Sequence, residues 1–384
     1  MKTSRRSEVD PFIVMDVMEA AAKAEAAGRH IIHMEVGQPG TAAPQKARQA
    51  LSDAMDADAL GYTVALGIPA LRDGIAALHQ RWYGVDLDPA RVVVTAGSSA
   101  AFTLAFTALF DEGDSVGVTE PGYPSYRQIL KALSLRSVGV PTHEEHAHRL
   151  RPEDIPEGLN GMMVASPANP TGVMLGRDDL AALIERCQSL GTSFISDEIY
   201  HGLHYGPRAV SALEVSDDLY VINSFSKYFS MTGWRLGWMV VPPDHVRTIE
   251  RLAQNLFICA PHAAQVAALG ALTAIDELEQ NREVYAANRQ LLLDGLPKVG
   301  LTSFAPPDGA FYVYADVSDW TDDSRAFAAE ILEQAGVAIT PGLDFDPVRG
   351  HQTIRFSYAR STADIREGLT RLQGYLSQRG KPQG

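Results

Sequence analysis

Short apolar runs with strand character alternate with helical stretches through residues 91–241, and this alternation restricts the fold more than any other feature of the chain. The runs are residues 91–95, 116–119, 162–165, 193–196, 219–223 and 236–241. Most of them are separated by stretches with helical periodicity or by loops. Strands that alternate with helices usually form a mostly parallel sheet with helices on both faces. The pattern therefore predicts an α/β fold.

The pattern changes after the two prolines at 242–243. A long helical pattern runs from residue 245 to about residue 296, and residues 310–314 and 353–357 then resemble strands. The chain of 384 residues is 46% hydrophobic, which is enough for a large core and for more than one domain. We interpret the C-terminal part as a second, smaller α+β layer.

Charge and cysteine content narrow the classes of function. The formal net charge of −14 argues against nucleic-acid binding, which needs a basic face, and against attraction to anionic membranes. A small-molecule partner is therefore the expectation. Cys187 and Cys259 lie far apart and show no CxxC spacing, so the sequence predicts neither a disulfide framework nor a zinc site.

Two further patterns concern metals and location. The histidines in the run at residues 143–148 lack the helical spacing of zinc proteases, and we interpret this run as a solvated loop that holds no metal. The first residues lack the apolar stretch of a signal peptide, and no apolar run approaches the length of a membrane span. We therefore expect a cytoplasmic protein.

One lysine stands in an unusual setting. Lys227 ends the small polar run Ser-Phe-Ser-Lys at 224–227, directly after the apolar strand predicted at 219–223. Open α/β sheets bind their ligands at the C-terminal ends of their strands. A lysine becomes a Schiff-base nucleophile once burial or a neighbouring cation lowers its pKa, and Arg235 follows eight residues later. The run therefore indicates a covalent role for Lys227.

Other predicted strands also end in polar groups, and these groups complement the lysine. Gly97 and Ser98 lie between a strand and a helix, where backbone amides can bind a phosphate. Asn169 lies in a proline-flanked turn, and Asp197 follows a buried strand, where a carboxylate needs a cationic or N–H partner. A lysine, a carboxylate, a phosphate site and an amide together match the needs of pyridoxal 5'-phosphate.

With these motifs in the same order, the chain resembles the class I/II aminotransferases, the aspartate-aminotransferase-like group of fold-type-I pyridoxal-phosphate enzymes. The resemblance extends from the Gly-Gln-Pro run at 37–39 to the Arg-Phe-Ser-Tyr-Ala run at 355–359. It implies that Lys227 forms the internal aldimine and later moves the proton between Cα and the cofactor. It also implies that Asp197 keeps the pyridine nitrogen protonated, while Asn169 and Tyr200 donate hydrogen bonds to the ring oxygen.

The same resemblance assigns the remaining positions of the site. Arg355 would bind the substrate α-carboxylate, with Gly37 and Asn169 beside it, and Tyr123 would stack on the pyridine ring. Tyr62 matches a tyrosine that reaches the phosphate of the neighbouring subunit, which implies an obligate homodimer with a composite site. The positions that match phosphate-binding residues are Gly97, Ser98, Ser224 and Arg235.

The resemblance also implies a domain organisation. Residues 48–277 would form the large cofactor-binding domain, with a mostly parallel sheet of the seven-stranded type covered by helices. Residues 1–47 would form an N-terminal segment that belongs in part to the small domain, and residues 278–384 would form the small C-terminal domain. The smaller α+β domain would thus be built from both chain ends.

Three functions fit these motifs. Transamination between an L-α-amino acid and a 2-oxo acid, as part of amino acid biosynthesis, is the main hypothesis, and the alternative is a β-lyase of the C–S type on the same fold. A non-catalytic effector-binding module would need an attached DNA-binding domain, and we expect too few residues before Gly37 for one. No position identifies a second cation for a dicarboxylate substrate, and the segment at 12–17 and residues 311–312 favour an apolar side chain.

Overall fold

The computed structural model of the protein describes residues 1–380, so the last four residues of the predicted C-terminal domain lie outside the described part. Its strands in chain order are β1 (Ile32–His33), β2 (Val92–Thr95), β3 (Ser115–Glu120), β4 (Arg136–Pro141), β5 (Gly161–Ala165), β6 (Ser193–Asp197), β7 (Tyr220–Ser224), β8 (Gly237–Val240), β9 (Tyr312–Asp316), β10 (Val337–Ala338), β11 (Thr340–Pro341) and β12 (Thr353–Ser357). Its α-helices are α1 (Ile13–Ala26), α2 (Gln45–Ala57), α3 (Pro69–Tyr83), α4 (Ser98–Leu109), α5 (Pro124–Ala132), α6 (Arg177–Leu190), α7 (Val246–Leu256), α8 (His262–Ala271), α9 (Ile275–Gly295), α10 (Ser324–Ala335) and α11 (Thr362–Arg379).

Seven strands form the main sheet, in the order β2-β8-β7-β6-β5-β3-β4. The pairs from β7 through β6, β5 and β3 to β4 are parallel, and β8 runs antiparallel to both of its neighbours. All residues of β2, β7 and β8 are buried, as expected for strands covered on both faces. The predicted α/β fold with a mostly parallel sheet is confirmed.

Helices cover this sheet because their apolar faces need burial. α4 is apolar almost all round, and it packs against β7, β8 and the neighbouring α7. Phe102 and Phe106 of α4 are almost fully buried, together with Trp238 of β8. α6 packs on β6. No helix within residues 1–380 has both the length and the apolar character that a membrane span needs.

Two smaller sheets join distant parts of the chain. β1 pairs in parallel with β10, so that Ile32 lies opposite Val337, and β9, β12 and β11 form an antiparallel sheet. The long helical pattern predicted from residue 245 is divided into α7, α8 and α9, with Pro261 immediately before α8. The domain boundary predicted after residue 277 falls within α9, and the division into domains stays a prediction.

Candidate active site

The C-terminal ends of the parallel strands bring the predicted polar residues to one edge of the main sheet. β6 ends at Asp197 and β7 ends at Ser224, and the two strands pair so that Asp197 lies opposite Ile222. The turn that carries Lys227 follows β7 directly. Short connections at a sheet edge therefore fix these side chains within a few residues of a rigid strand.

The Lys227 amine lies at the centre of the cluster. Its Nζ donates a hydrogen bond of 2.6 Å to the carbonyl oxygen of Gly37, and it lies 5.5 Å from the centre of the Tyr200 ring. Burial lowers the pKa of Lys227 to about 7, and the positive charge of Arg355 acts in the same direction. A substantial fraction of this amine is therefore uncharged at neutral pH, as a nucleophile or general base requires.

Asp197 presents a buried carboxylate to the same cluster. It is only 2% exposed, and it accepts hydrogen bonds from the Tyr126 hydroxyl and, at 3.1 Å, from the backbone N–H of Ile199. Burial raises the pKa of Asp197 to about 6, against the effect of these hydrogen bonds and of the more distant Lys227 charge. A cation placed directly at this carboxylate would lower its pKa again, which suits a protonated ring nitrogen.

An anion-binding corner forms where α4 begins. Gly97 has a φ of 77° and precedes the first residue of α4, Ser98. A Cβ atom at Gly97 would lie 2.4 Å from Nη2 of Arg235, so only glycine allows the guanidinium to approach this close. Helix N-termini and guanidinium groups both attract phosphate. This corner therefore fits a phosphate group.

The turn from Ser224 to Lys227 is held against the same corner. The Ser224 hydroxyl lies 2.9 Å from Oγ of Ser226 and 3.2 Å from the carbonyl oxygen of Leu236, and it accepts a bond from the Ser226 N–H. A Cβ atom on Gly237 would lie 2.9 Å from the backbone nitrogen of Ser98. This close approach of β8 to the start of α4 brings the Lys227 turn beside the phosphate corner.

Arg355 forms the opposite side of the cluster. Its side chain is 3% exposed and its guanidinium carbon lies 4.3 Å from the ring centre of Tyr312 and 4.6 Å from that of Phe345. Nη1 donates a bond of 2.8 Å to Oδ1 of Asn169, and Nη2 donates to the backbone carbonyl of Glu35. The buried Nε has no partner within residues 1–380. A carboxylate ligand would supply one.

These groups can bind and polarise an amino acid: a partly uncharged amine, a buried carboxylate, an anion corner and a guanidinium with a free donor. Comparison with known proteins agrees with this chemistry. The family model described as aminotransferase class I and II matches residues 29–372. The chain belongs to this family. It is therefore an enzyme that transfers amino groups.

Relatives cover almost the whole of this aminotransferase. Valine–pyruvate aminotransferase of Mycobacterium tuberculosis is 46% identical over 98% of each chain. A crystal structure of a protein from Silicibacter pomeroyi has 65% identity and a TM-score of 0.94, covering 99% of this chain and 100% of that one. The aspartate aminotransferase of Thermus thermophilus has 31% identity and a TM-score of 0.92, covering 97% and 99%. Fold type I and the transamination reaction both follow from these similarities.

The predicted residues of the aminotransferase site meet in one cluster, with one exception. Tyr123 lies at the start of α5 with its ring 5.3 Å from that of Tyr126 and 6.0 Å from that of Phe12. Tyr62 differs, because it lies on a surface loop and is 83% exposed. Within the part of one chain that the structure describes, no contact links Tyr62 to the cluster.

Two tyrosines of the cluster, Tyr126 and Tyr312, were not predicted as functional residues from the sequence. Tyr126 bonds to Asp197, and its spacing of three from Tyr123 could have indicated a shared helix face. The hydroxyl of Tyr312 lies 2.7 Å from that of Tyr200. From the sequence, Tyr312 is expected only to add apolar surface near the substrate side chain. Nothing in the local pattern of β9 indicates which tyrosine of the chain its hydroxyl meets.

Proposed function

We propose that this aminotransferase binds pyridoxal 5'-phosphate at Lys227 and uses it to move an amino group between an L-α-amino acid and a 2-oxo acid. The observation that carries the proposal is the Lys227 amine, whose pKa burial lowers to about 7, in one cluster with the Asp197 carboxylate and the Arg355 guanidinium. Each of these groups has a partner in the proposed complex.

The residues around Lys227 suit the separate groups of the cofactor. Asp197 suits the protonated pyridine nitrogen, because its buried carboxylate has no direct cationic contact among residues 1–380. Tyr200 and Asn169 suit the ring oxygen, and Tyr123 suits the face of the ring. Gly97, Ser98, Ser224 and Arg235 surround the corner that suits the phosphate. When bound, the cofactor withdraws electrons from Cα of the amino acid.

The protein groups then act on the substrate. Arg355 binds the α-carboxylate through its forked guanidinium, with Asn169 and the backbone of Gly37 beside it. Binding of the carboxylate fixes the orientation of the substrate and therefore the direction of its Cα–H bond. The uncharged fraction of Lys227 removes the Cα proton, and burial of the cluster excludes water that would compete for it.

For the substrate we propose a donor with an apolar aliphatic side chain and a small 2-oxo acid such as pyruvate as acceptor. The mycobacterial relative, which is 46% identical, is a valine–pyruvate aminotransferase, and this supports the choice. The chain itself adds support beside Tyr123. Phe12, immediately before α1, packs edge-on against the Tyr123 ring at 6.0 Å and gives this wall an apolar surface.

A half-reaction separates transamination from elimination. The amino donor alone, added to holoenzyme without an oxo acid, should change the visible absorbance and release a 2-oxo acid in proportion to the enzyme subunits. Pyruvate should then restore the spectrum and yield alanine. Valine should react faster than aspartate. Repeated release of pyruvate and ammonia from a cysteine-type substrate, without any change of the resting spectrum by common amino acids, would instead favour the β-lyase.

We also propose that two copies of the chain form a homodimer in which Tyr62 completes the partner's phosphate site. Several large apolar side chains are exposed in the loop at 62–64 and at the end of α7 with the residues that follow it: Tyr62 at 83%, Val64 at 60%, Leu256 at 51% and Ile258 at 50%. His262, the first residue of α8, lies close to the first of these segments, with its Nδ1 2.9 Å from the carbonyl oxygen of Gly61. Exposed apolar clusters of this kind support a protein–protein contact.

Mixed dimers test this arrangement. Chains carrying Tyr62→Ala are combined with chains carrying Lys227→Ala, and the hybrid is isolated by two different affinity tags. If Tyr62 serves the partner, one site of the hybrid carries both changes and the other carries neither, so close to half of the wild-type activity returns. If Tyr62 serves its own subunit, both sites stay impaired. A monomer in solution at working concentration would contradict the dimer outright.

The metabolic setting follows from the same proposal. An enzyme that exchanges amino groups between amino acids and 2-oxo acids works in amino acid metabolism, and we propose a biosynthetic role in the cytoplasm. The absence of a disulfide between Cys187 and Cys259 suits a reducing compartment. Fractionation of cells with an antibody against the protein tests the location directly.

A further inference from the structure

Tyr312 lies between the two halves of the cluster, although the proposed reaction gives it no task. It is the first residue of β9, it is 1% exposed, and its side chain contacts groups that approach from three different segments. The hydroxyl lies 2.7 Å from the hydroxyl of Tyr200, which follows β6. Its ring lies against the guanidinium of Arg355, with 4.3 Å between the guanidinium carbon and the ring centre.

The hydroxyl also lies against the backbone of Gly37. A Cβ atom built on Gly37 would lie 1.8 Å from the Tyr312 hydroxyl oxygen and 2.8 Å from Cζ. Any side chain at position 37 would therefore displace the tyrosine. Gly37 in turn accepts the hydrogen bond from Lys227, so the Tyr312 hydroxyl packs against the residue that holds the Lys227 amine.

Hydrogen-bond counting gives the direction of the Tyr312–Tyr200 contact. A tyrosine hydroxyl has one proton to donate. If Tyr200 donates its proton to the ring oxygen of the cofactor, its own oxygen is left to accept, and the Tyr312 hydroxyl is placed to donate to it. Two hydroxyl groups bonded in series polarise each other, so the first strengthens the donation of the second.

We propose that Tyr312 is a positioning residue that makes Tyr200 a stronger hydrogen-bond donor toward the cofactor and holds the Arg355 guanidinium flat for the substrate carboxylate. The inference rests on the proposed function, since it assigns Tyr200 to the ring oxygen and Arg355 to the substrate. The hydroxyl and the ring of Tyr312 have separate tasks. They can therefore be separated by substitution.

Tyr312→Phe removes the hydroxyl and keeps the ring, whereas Tyr312→Leu removes both. With the weaker donation from Tyr200, the midpoint of the pH-dependent change in holoenzyme absorbance should shift upward in both variants, by about 0.3 to 1 pH unit. The KM for the amino donor should stay within about twofold in the Phe variant, because the ring still faces Arg355. It should rise about tenfold in the Leu variant.

Tyr314→Phe is the matched control. Tyr314 lies on the same strand, it is 4% exposed, and its hydroxyl lies 2.6 Å from Oγ1 of Thr353 instead of a residue of the site. Loss of this hydroxyl should lower the thermal unfolding midpoint by about as much as Tyr312→Phe does. The absorbance midpoint and the KM for the amino donor should stay unchanged. An equal spectral shift in Tyr314→Phe would show that Tyr312 acts only through general stability.

A double substitution decides whether Tyr312 acts through Tyr200. Once Tyr200→Phe has removed the donor, adding Tyr312→Phe should produce no further shift of the absorbance midpoint. Additive shifts would overturn the inference, as would a Tyr312→Phe midpoint equal to that of the wild type. Failure of the proposed function would be different, because the wild-type protein itself would then bind no pyridoxal phosphate and show no visible absorbance.

Discussion

The two walls of the active site are built in different ways. On the main-sheet wall, Asp197 ends β6 and Lys227 follows β7 by three residues, so each side chain is fixed by a strand next to it. On the small-sheet wall, Arg355 of β12 meets the backbone of Glu35, which is 320 positions away in the chain. Short turns after the strands position the side chains of the main-sheet wall. Contacts between the two ends of the chain position those of the small-sheet wall.

This difference has a functional consequence. The main-sheet wall holds the groups proposed to handle the cofactor and the proton. It rests on β7, which is wholly buried, and on β6, which is buried except for its first residue. The small-sheet wall holds the groups proposed to grip the substrate carboxylate. We therefore expect changes in the first wall to affect the rate of the chemical step, and changes in the second wall to affect KM.

Lys227→Ala should give the largest effect. The variant loses the amine proposed to hold the cofactor and to move the Cα proton, so turnover should fall by roughly 10⁴-fold or more while the fold persists. Steady-state kinetics and the absorbance of the protein with added pyridoxal phosphate measure this. Lys23→Ala is the control, since Lys23 is 74% exposed on α1. A wild-type spectrum and rate in Lys227→Ala would show that Lys227 neither holds the cofactor nor moves the proton.

Asp197→Asn should give the next largest effect. A neutral amide cannot stabilise a protonated ring nitrogen, so the rate constant of the first half-reaction should fall by about 10²- to 10³-fold with cofactor still bound. Stopped-flow absorbance measures this constant. Glu198→Gln is a matched control, because burial raises the pKa of Glu198 to about 8 and a glutamine then replaces a mostly uncharged group.

Equal rate losses in Asp197→Asn and Glu198→Gln would contradict the special position of Asp197. Glu198 is as deeply buried as Asp197, but one of its oxygens accepts hydrogen bonds from the Ala212 N–H and the Ser211 hydroxyl, whereas Asp197 accepts from the Tyr126 hydroxyl. Comparison of the two variants therefore distinguishes the effect of losing any buried carboxyl group from the effect of losing the one proposed to contact the cofactor.

Arg355→Lys tests the small-sheet wall. Lysine keeps the charge but cannot form two parallel hydrogen bonds to a carboxylate, so kcat/KM for the amino donor should fall by about 10- to 100-fold, mainly through KM. Arg349→Lys is the control, since Arg349 pairs with Asp346 at 2.8 Å and is 40% exposed. A loss confined to kcat would show that Arg355 acts on the chemical step, as the residues of the main-sheet wall are expected to do.

The same contrast explains how much the sequence could predict. Lys227, Asp197 and Asn169 were found because each follows an apolar strand within a few residues, and the parallel sheet then brings those strand ends together. The Tyr312–Tyr200 contact joins residues 112 positions apart, and it depends on how the small sheet packs on the main one. Neither periodicity nor spacing carries that information.

Boundaries of the small sheets were the least predictable part of the fold. β1, β10 and β11 contain two residues each, too few for an alternating pattern to appear. They form because distant segments meet, as where the N–H of Met34 donates to Ala338 at 2.9 Å. The resemblance to the family, rather than the residue pattern, is what placed Gly37 and Arg355 on one site.

The smallest expected effect comes from an ion pair behind the small-sheet wall. His33 lies between two carboxylates, with Nδ1 at 2.8 Å from Glu35 and Nε2 at 3.1 Å from Glu25 of α1. Glu35 is fully buried, and its backbone carbonyl accepts the bond from Arg355. The hydrogen bond to Glu35 is the main reason why the pKa of His33 is raised above its ordinary value, and Glu25 acts in the same direction.

A raised pKa in the folded state means that protonated His33 stabilises the protein. This contribution is fully present below the unfolded pKa of 6.5 and is lost as the pH rises through the folded pKa. The free energy of unfolding of the wild type should therefore exceed that of His33→Gln by up to about 1 kcal/mol at pH 6, and the difference should shrink at higher pH. Asp197, Lys227 and Glu198 have pKa values in the same range, but all three are present in both proteins, so their contributions cancel in the difference.

The KM for the amino donor should report on the His33–Glu35 pair, because the backbone of Glu35 contacts Arg355. As His33 loses its proton, the buried Glu35 loses its charged partner, and the carbonyl that orients Arg355 is held less firmly. The wild-type KM should therefore rise by about two- to threefold more than that of His33→Gln between pH 6 and pH 8.5, with kcat changing equally in the two proteins. Parallel KM profiles would show that the small-sheet wall is as rigid as the main-sheet wall, and the contrast between the two walls would then rest on Arg355 alone.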